Sequence, residues 1–307
     1  MKKILYGAGH WGKIAFNYYG QDEIYAFADK NQFGKEYLGK QVLNPLDLKV
    51  YQDYEIVVCI KHYEPVTFFL ESIGIDNYKI FYHKDIEYLT HDVPMSKIAN
   101  HANFISYLSE IGNKKGMKIL EIGSRVVTGS NFRSYFSNAE YIGFDIYEGE
   151  NVDIVGDAHK LSKYFDSSMK FDIIFSHAVF EHLAMPWLLP IEISKLLNIG
   201  GIVFVETHFS FSSHERPWHF YQFSDMALRT LFNSSLGFEC IEAGFSNPIA
   251  GRFSEFADDY LKNTPVNDLY CHCGYLGRKV NDVVDFDWNE VSLEDIVENT
   301  MYPISNS

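Results

Sequence analysis

The stretch "KILEIGS", residues 118–124, is a short apolar run that ends in a glycine turn. A near copy, "KILYGAG", occupies residues 3–9. An apolar strand that runs into a glycine turn and then a helix is typical of nucleotide-binding α/β folds. One nucleotide site needs only one such turn. Either one copy is structural, or the chain carries two nucleotide-type folds.

Length and composition favour the second alternative. The chain has 307 residues, which suggests two domains at about 100–200 residues each. No segment reaches the roughly 18 consecutive apolar residues of a membrane span, and the first residues lack the features of a signal peptide. We therefore expect a cytoplasmic protein. The net charge of −15 would repel phosphate backbones, so we expect no nucleic-acid partner.

Residues 1–94 predict a small parallel-sheet α/β domain with a Rossmann-like, nucleotide-binding-type architecture. Apolar runs predict strands, and two intervening segments predict helices. The predicted strands are 3–9, 24–29, 55–60 and 79–83, and the predicted helices are 10–19 and 64–74. A linker is expected over 84–95.

Residues 95–280 predict a second α/β domain, and 281–307 an acidic tail. Periodic apolar residues predict a helix over 96–112 ahead of the glycine turn. The predicted strands are 117–122, 140–145, 152–155, 171–176 and 201–206, with a closing antiparallel pair at 238–245 and 271–280. Further helices are predicted over 187–198 and 224–237, the latter capped by Ser224.

The N-terminal turn has the full G-x-G-x-x-G spacing, formed by Gly7, Gly9 and Gly12. Such glycines permit a tight turn at a helix N-terminus, where a pyrophosphate can bind. Asp29 ends the next strand, where a ribose-binding carboxylate is expected. Two interpretations stay open: a bound nucleotide, or glycines kept for packing in a domain that serves assembly.

The second turn has Gly123 but bulkier residues after it, so it suits a ligand without a phosphate, such as an adenosine that carries an amino acid. Acidic residues end or follow successive predicted strands: Glu121, Asp145 and Asp157. In a parallel sheet these strand ends share one edge, where α/β proteins bind ligands. Asp145 could accept bonds from both ribose hydroxyls, and Asp157 with Ala158 could meet an adenine amino group.

These residues carry a family resemblance. Residues 95–280 resemble a class I S-adenosylmethionine-dependent methyltransferase of the methyltransferase-11-like type found with bacterial surface-polysaccharide genes. The resembling segments are "KILEIGS", "YIGFDIYEGENVDIVGDAHKL", "FDIIFSHAVFEHLAMPW", "LLNIGG" and "HERPWHFYQFS". The first ninety residues resemble small Rossmann-like domains of sugar-modifying enzymes. Residues 125–128 depart from the commoner glycine-rich turn of the family.

The resemblance implies a seven-stranded mixed sheet and S-adenosylmethionine as the cofactor. It implies that Glu121, Gly123 and Ser124 border the methionine part of the cofactor. It also implies that Asp145 binds the ribose, that Asp157 and Ala158 bind the adenine, and that Ser176 and His177 lie near the sulfonium.

The densest group of histidine, acidic and aromatic residues follows the fourth and fifth strands of this domain. Methyl transfer to a hydroxyl needs a base to take its proton. The candidate catalytic residues are His182, His208, His214 and His219, and the candidate acceptor-binding residues are Glu181, Glu215, Arg216, Trp218 and Tyr221. Each also has a structural interpretation, as a helix start, a strand end or a core aromatic. In the resembling family an acid often replaces His219.

The sequence assigns no metal ligands. The C-x-C pair around His272 lacks the spacing of a zinc knuckle. Mg²⁺ held by Glu181 and His182 stays an alternative.

The leading hypothesis is methylation, preferably O-methylation, of a sugar, nucleotide-sugar or polysaccharide precursor, with a homo-oligomer as one open assembly state. The alternatives are an NAD(P)-dependent sugar-modifying oxidoreductase and a non-catalytic assembly protein.

Overall fold

The structure is a computed structural model that describes residues 2–61, 63–81, 94–127, 129–262 and 264–297. The chain divides into two compact units: Met1–Thr90 with Ile249–Leu269, and His91–Pro248 with Tyr270–Ser307. The sequence analysis assigned residues 249–269 to the second domain, whereas they group with the first unit. Among the described residues, no helix is long and apolar enough to cross a membrane. The expected linker lies mostly outside the described residues.

The first unit is built on a mostly parallel sheet of six strands, in the order β3-β4-β2-β1-β5-β6. The strands are β1 Lys3–Tyr6, β2 Ile24–Ala28, β3 Glu36–Tyr37, β4 Lys40–Leu43, β5 Glu55–Val58 and β6 Tyr78–Ile80. The helices are α1 His10–Tyr19 and α2 Glu64–Ser72. The central strand β1 is buried, as its continuous apolar sequence predicts.

The short β3–β4 hairpin was not predicted from the sequence. Its two strands pair antiparallel around Leu38 and Gly39, which both have positive φ. This backbone is that of the two-residue turn that best fits a twisted hairpin. The strands are too short to show alternation, and a leucine at the first turn position hides the turn from sequence patterns.

The second unit contains a seven-stranded mixed sheet, in the order β12-β15-β11-β10-β7-β8-β9. Its strands are β7 Lys118–Ile122, β8 Glu140–Asp145, β9 Ile154–Val155, β10 Phe171–His177, β11 Leu197–His208, β12 Phe238–Pro248 and β15 Tyr270–Lys279. Between the last two, in the first unit, lie β13 Gly251–Arg252 and β14 Pro265–Val266. The helices are α3 Phe104–Gly112, α4 Leu188–Leu196, α5 Asp225–Leu231 and α6 Glu294–Val297.

This sheet confirms the predicted fold class. Strands β8, β7, β10 and β11 pair in parallel, and β15 pairs antiparallel with both β11 and β12. The carboxyl ends of four neighbouring parallel strands therefore meet at one edge. A buried core that includes Phe175, Phe204 and Leu276 packs against Leu108 of α3. Ser224 caps α5 by accepting a bond from the amide of Ala227, as predicted.

Helix α3 begins at Phe104, later than the predicted start at residue 96. The Glu242 carboxylate on β12 accepts bonds from the amides of residues 97, 98 and 99 at 2.7–2.8 Å. The Asn100 side chain accepts bonds from the amides of Ala102 and Asn103. Amides engaged by side chains in this way favour a turn over a helix. The turn holds residue 101 near the edge where the parallel strands end.

Close backbone packing in the turn after β1 requires glycine at two positions. A Cβ added at Gly12 would overlap the carbonyl oxygen of Gly7, whereas one added at Gly9 would meet nothing within 4 Å. Gly7 itself has φ +119°, which L side chains rarely adopt.

We therefore expect Gly12→Ala to destabilise the first unit by about 1–3 kcal/mol, the usual cost of overpacking. The matched control Gly9→Ala should stay within about 1 kcal/mol, the cost of a poorer N-cap residue. Hydrogen–deuterium exchange of peptides that cover β1 and α1 measures both variants. Equal protection in the two variants would show that the packing at Gly12 does not limit stability.

Candidate active site

The glycine turn after β7 is shaped by its contact with residue 179. Gly123 has φ +84°, and a Cβ there would overlap the Val179 side chain. The amides of Gly123 and Ser124 both donate to the carbonyl oxygen of Phe144, at 2.8 and 3.1 Å. These bonds bring the turn against the end of β8.

Asp145 ends β8 beside this turn and is largely buried. Its Oδ2 accepts a bond from the amide of Arg125 at 3.2 Å, and its Oδ1 accepts one from the amide of Tyr147 at 3.0 Å. The Nε of Arg125 lies 3.5 Å from Oδ1. A carboxylate offers about four lone-pair sites, so Asp145 keeps acceptor capacity toward a ligand.

Glu121 lies behind the turn and is nearly fully buried. It accepts hydrogen bonds from the Tyr141 hydroxyl and from Nδ2 of Asn151. Burial raises the pKa of Glu121 to about 7, although these two bonds oppose the rise. Nδ2 of Asn151 also donates to the carbonyl oxygen of Ser124 at 3.0 Å. Glu121 therefore supports the turn through Asn151, a residue that the sequence analysis did not identify.

Asp157 and Ala158 follow the short edge strand β9, at the same side of the sheet as Asp145. Asp157 caps a 3₁₀ helix, Ala158–Tyr164, and accepts bonds from the amide and Nδ1 of His159 at 3.0 and 2.7 Å. Burial opposes ionisation of Asp157, but the bonds from His159 outweigh it and hold its pKa below the ordinary value. The predicted adenine-binding residues thus lie next to the predicted ribose-binding residue.

A buried carboxylate stands where β10 and β11 end. Glu206 pairs in register with His177 and is only 1% exposed. Its Oε1 lies 3.0 Å from Nε2 of His177 and 2.8 Å from Nδ1 of His101. Burial opposes ionisation, but these two histidines prevail and lower the pKa of Glu206 to about 2. Ser176, which precedes His177, is fully buried.

A second buried carboxylate belongs to Glu181, in the 3₁₀ turn Phe180–His182. The Thr207 hydroxyl donates to its Oε2 at 2.7 Å, and Nδ1 of His208 lies 2.8 Å from its Oε1 in a contact that lacks hydrogen-bond angles. Burial opposes ionisation of Glu181, but His208 and Thr207 outweigh it and lower its pKa. Glu181 is 0% exposed, so it stands behind His208 instead of on the acceptor surface, where the sequence analysis placed it.

All four predicted catalytic histidines come together around His214. Its ring centroid lies 4.9 Å from that of His182, 5.2 Å from that of His208 and 4.6 Å from that of His219. Burial and the neighbouring His214 and His182 lower the pKa of His219. These four imidazole rings therefore form one contiguous group at the end of β11.

The loop after β11 folds over the Glu181 turn. The amides of Phe220 and Tyr221 donate to the carbonyl oxygen of Glu181, and Nδ1 of His182 lies 2.9 Å from the carbonyl oxygen of Trp218. Trp218 is 53% exposed, and the predicted acceptor residues Glu215, Arg216 and Tyr221 are exposed beside it. The backbone of the loop is fixed while its aromatic rings face solvent.

Mg²⁺ is not suited to the predicted pair of Glu181 and His182. Nε2 of His182 lies 4.0 Å from Oε1 of Glu181. Mg²⁺ prefers an octahedral set of oxygen ligands, whereas imidazole rings surround this pair and the second carboxylate, Glu215, is exposed, with its Oε2 3.7 Å from Nε2 of His182. The site supplies the wrong donor atoms for this ion.

Sequence reasoning missed His101, Glu206 and His272, which extend the histidine group. His272 on β15 stacks on His101 with ring centroids 4.7 Å apart, and pairs in register with His208. Among the nine histidines that the structure describes, seven thus form one connected group: His101, His177, His182, His208, His214, His219 and His272. The sequence did contain one signal for Glu206, because a glutamate ends a strand that was predicted from its apolar residues.

The predicted nucleotide residues of the first unit are engaged with their own turn. Oδ2 of Asp29 accepts a bond from the amide of Ala8 at 3.1 Å, and Oδ1 accepts one from Asn31 at 2.8 Å. Close backbone packing explains why positions 7 and 12 are glycine, whereas Gly9 is exposed and has no such contact. The bound nucleotide stays a prediction.

Two cavities lie away from the histidine group. One, of about 310 Å³, is lined by Met117, Asp172 and Gly200 at the amino ends of the strands. The other, of about 730 Å³, is lined by residues that include Lys170, Lys195 and Asp282. Ligands of parallel α/β sheets bind at the carboxyl ends of the strands, so geometry favours the histidine edge.

Comparison with known proteins identifies the domain. Residues 120–205 match the family model described as a methyltransferase domain. A search of curated proteins found no match to the chain.

Several solved structures are similar to part of this chain. The YcgJ protein from Bacillus subtilis shows 17% identity over 58% of this chain and 98% of its own, with a TM-score of 0.41. An S-adenosylmethionine-dependent methyltransferase from Clostridium acetobutylicum shows 10% identity over 62% and 94%, with a TM-score of 0.40. The 1,6-didemethyltoxoflavin-N1-methyltransferase of Burkholderia thailandensis, solved with S-adenosylhomocysteine, shows 14% over 58% and 78%, with a TM-score of 0.39.

Residues 120–205 are thus similar to a methyltransferase domain, and they lie within the seven-stranded mixed sheet of the second unit.

The pKa of Glu121 generates a prediction about stability. Because burial raises this pKa from 4.5 to about 7, the folded protein keeps a proton that the unfolded chain has released between these values. Wild-type stability should therefore fall as the pH rises from about 4.5 to about 7. Glu121→Gln cannot titrate, so relative to the wild type it should gain up to about 3 kcal/mol across this range. Urea unfolding near pH 5 and near pH 8 measures the difference, and parallel curves for the two proteins would contradict it.

Proposed function

We propose that the chain transfers the methyl group of S-adenosylmethionine to a hydroxyl of a small, sugar-type acceptor. The observation that carries this proposal is the group of four histidines at the edge where β10 and β11 end, backed by the buried Glu181 and adjacent to a loop with exposed aromatic rings. The acceptor's chemical class follows from this mixture of proton-accepting and stacking groups.

The cofactor belongs beside this group, over the ends of β7 and β8. Asp145 has lone pairs left for the ribose hydroxyls, and Asp157 with Ala158 borders the adenine. Glu121, Gly123 and Ser124 shape the turn that borders the methionine part. Ser176 and His177, at the end of the neighbouring strand β10, then lie toward the sulfonium and the acceptor.

The base is His208, positioned by Glu181. Nδ1 of His208 lies 2.8 Å from Oε1 of Glu181, and Nε2 is the ring nitrogen that this contact leaves for the acceptor. The acceptor oxygen attacks the methyl carbon while the carbon–sulfur bond breaks, and its electrons stay on sulfur to give S-adenosylhomocysteine. The hydroxyl proton passes to Nε2, and the Glu181 carboxylate stabilises the imidazolium that forms.

The exposed loop supplies the acceptor surface. Trp218 and Tyr221 offer flat apolar faces of the kind on which sugar rings stack. Arg216 is exposed in the same loop and could donate two parallel bonds to a phosphate, as a sugar phosphate or nucleotide-sugar would require. A screen of such compounds with labelled S-adenosylmethionine tests the acceptor class. Labelling of no hydroxylated acceptor would overturn it.

Asp145→Ala should weaken S-adenosylmethionine binding by at least about 100-fold. It removes two hydrogen bonds to a charged group, each worth about 1.5–3 kcal/mol. Titration calorimetry measures the affinity. Asp29→Ala, at the equivalent strand end of the first unit, is the matched control and should bind S-adenosylmethionine with unchanged affinity. Unchanged affinity in Asp145→Ala would remove the ribose assignment.

His208→Ala should lower turnover by about 10²–10⁴-fold, the usual contribution of a general base, while the affinity for S-adenosylmethionine stays within a few-fold. Glu181→Gln should lower turnover less, since it leaves the imidazole in place. Single-turnover rates with the identified acceptor test both variants. If His214→Ala or His219→Ala has the larger effect, the base is misassigned.

A further inference from the structure

His101, His177 and Glu206 form a compact triangle of potential ligand atoms, here called the Glu206 triad. Oε1 of Glu206 lies 2.8 Å from Nδ1 of His101 and 3.0 Å from Nε2 of His177. The two nitrogen atoms are 3.4 Å apart. Both rings approach the same carboxylate oxygen, Oε1 of Glu206, so the three atoms surround one small region.

These spacings match those of atoms that share a metal ion. Nitrogen and oxygen ligands about 2.0–2.1 Å from a zinc-type ion lie about 2.9–3.4 Å from one another in octahedral or tetrahedral geometry. All three sides of the triangle fall in or next to this range. One ion displaced from the plane of the three atoms could therefore contact all of them without movement of the backbone.

The second oxygen of Glu206 provides independent support. Glu206 is 1% exposed, and within the part of the chain that the structure describes its Oε2 has no hydrogen-bond partner. Burial of a carboxylate is costly unless charge or hydrogen bonds satisfy it. An ion on the triad would supply charge to this carboxylate.

The three ligands are held by rigid parts of the second unit. His177 and Glu206 occupy paired positions of β10 and β11. The ring of His177 packs against Phe104 and Phe132, with centroids 5.4 and 5.5 Å away. The turn fixed by Glu242 and Asn100 places His101, whose side chain is 48% exposed and leaves a path for an ion.

We propose that the Glu206 triad binds one divalent transition-metal ion of the zinc type, through Nδ1 of His101, Nε2 of His177 and the carboxylate of Glu206. Imidazole and carboxylate donors suit zinc and its neighbours better than Mg²⁺. His272 borders the same place, since a ring nitrogen lies within 4.8 Å of the ligand atoms of His101 and Glu206. Three protein ligands with a position left open are the usual arrangement of a site that binds a substrate.

The role of this ion rests on the proposed function. An ion at the ends of β10 and β11 would lie beside the histidine group that faces the acceptor, where it could bind and orient an acceptor oxygen. Metal binding itself requires no activity, so its test is separate from the test of methyl transfer.

Titration calorimetry of Zn²⁺ into chelator-treated full-length protein tests the site. We expect one tight site per chain that excess Mg²⁺ does not displace. Glu206→Gln and His177→Gln should each lower the affinity for Zn²⁺ at least about 100-fold. This loss is at the upper end of that seen when a residue that only orients a metal ligand is replaced. The matched control His182→Gln lies in the other part of the histidine group, and His10→Gln lies on the first unit; both should leave the affinity within about threefold.

Absence of a tight site, or unchanged affinity in both Glu206→Gln and His177→Gln, would overturn the proposal. Circular dichroism confirms folding, and if a strand variant fails to fold, His101→Gln on the exposed turn replaces it with the same expected loss. Co²⁺ spectra add a second readout, because a thiolate charge-transfer band that disappears in Cys271→Ser would place the ion at Cys271, His272 and His208 instead.

Discussion

The parallel pairing of β10 with β11 sets the positions of the groups on which the site depends. It places His177 opposite Glu206 at the edge where both strands end. A one-residue shift in register would turn one of these side chains to the other face of the sheet. Since the Glu206 carboxylate is buried, the fold must bring compensating groups to it, and His101 arrives from a distant turn for this purpose.

The rest of the second unit can be understood as the means of bringing distant segments to that edge. The carboxylate of Glu242 fixes the turn that carries His101, and the backbone of Glu181 holds the loop that carries Trp218. The antiparallel strand β15 then adds His272 beside His208. Several residues of the histidine group are therefore positioned by interactions between segments far apart in the sequence.

The succession of strands along the chain and the glycine turns could be predicted, because apolar periodicity and turn residues are local properties of the sequence. The seven-stranded mixed sheet was implied by the family resemblance, and its strand order was not predicted. The four histidines after the fourth and fifth strands were also identified, since they cluster in the sequence. The predicted start of α3 was wrong because Glu242, which accepts hydrogen bonds from the amides just before the helix, is distant in the sequence. The positions of His101 and His272 depend on contacts between strands that have no local signature, and Glu181 gave no sign that it would face inward.

The two buried carboxylates have different surroundings, and this difference assigns them different chemistry. Glu181 shares its oxygens between a hydroxyl and one imidazole, so it can orient that ring and stabilise its charged form during proton transfer. Glu206 directs one oxygen to two imidazoles and keeps the other without a hydrogen bond from a described residue, an arrangement better suited to a cation than to a single proton. His208 and His272 connect the two carboxylates, with ring centroids 5.4 Å apart. Under the two proposals above, one carboxylate would position the base and the other would hold an ion, and transfer to a weakly acidic hydroxyl would use both.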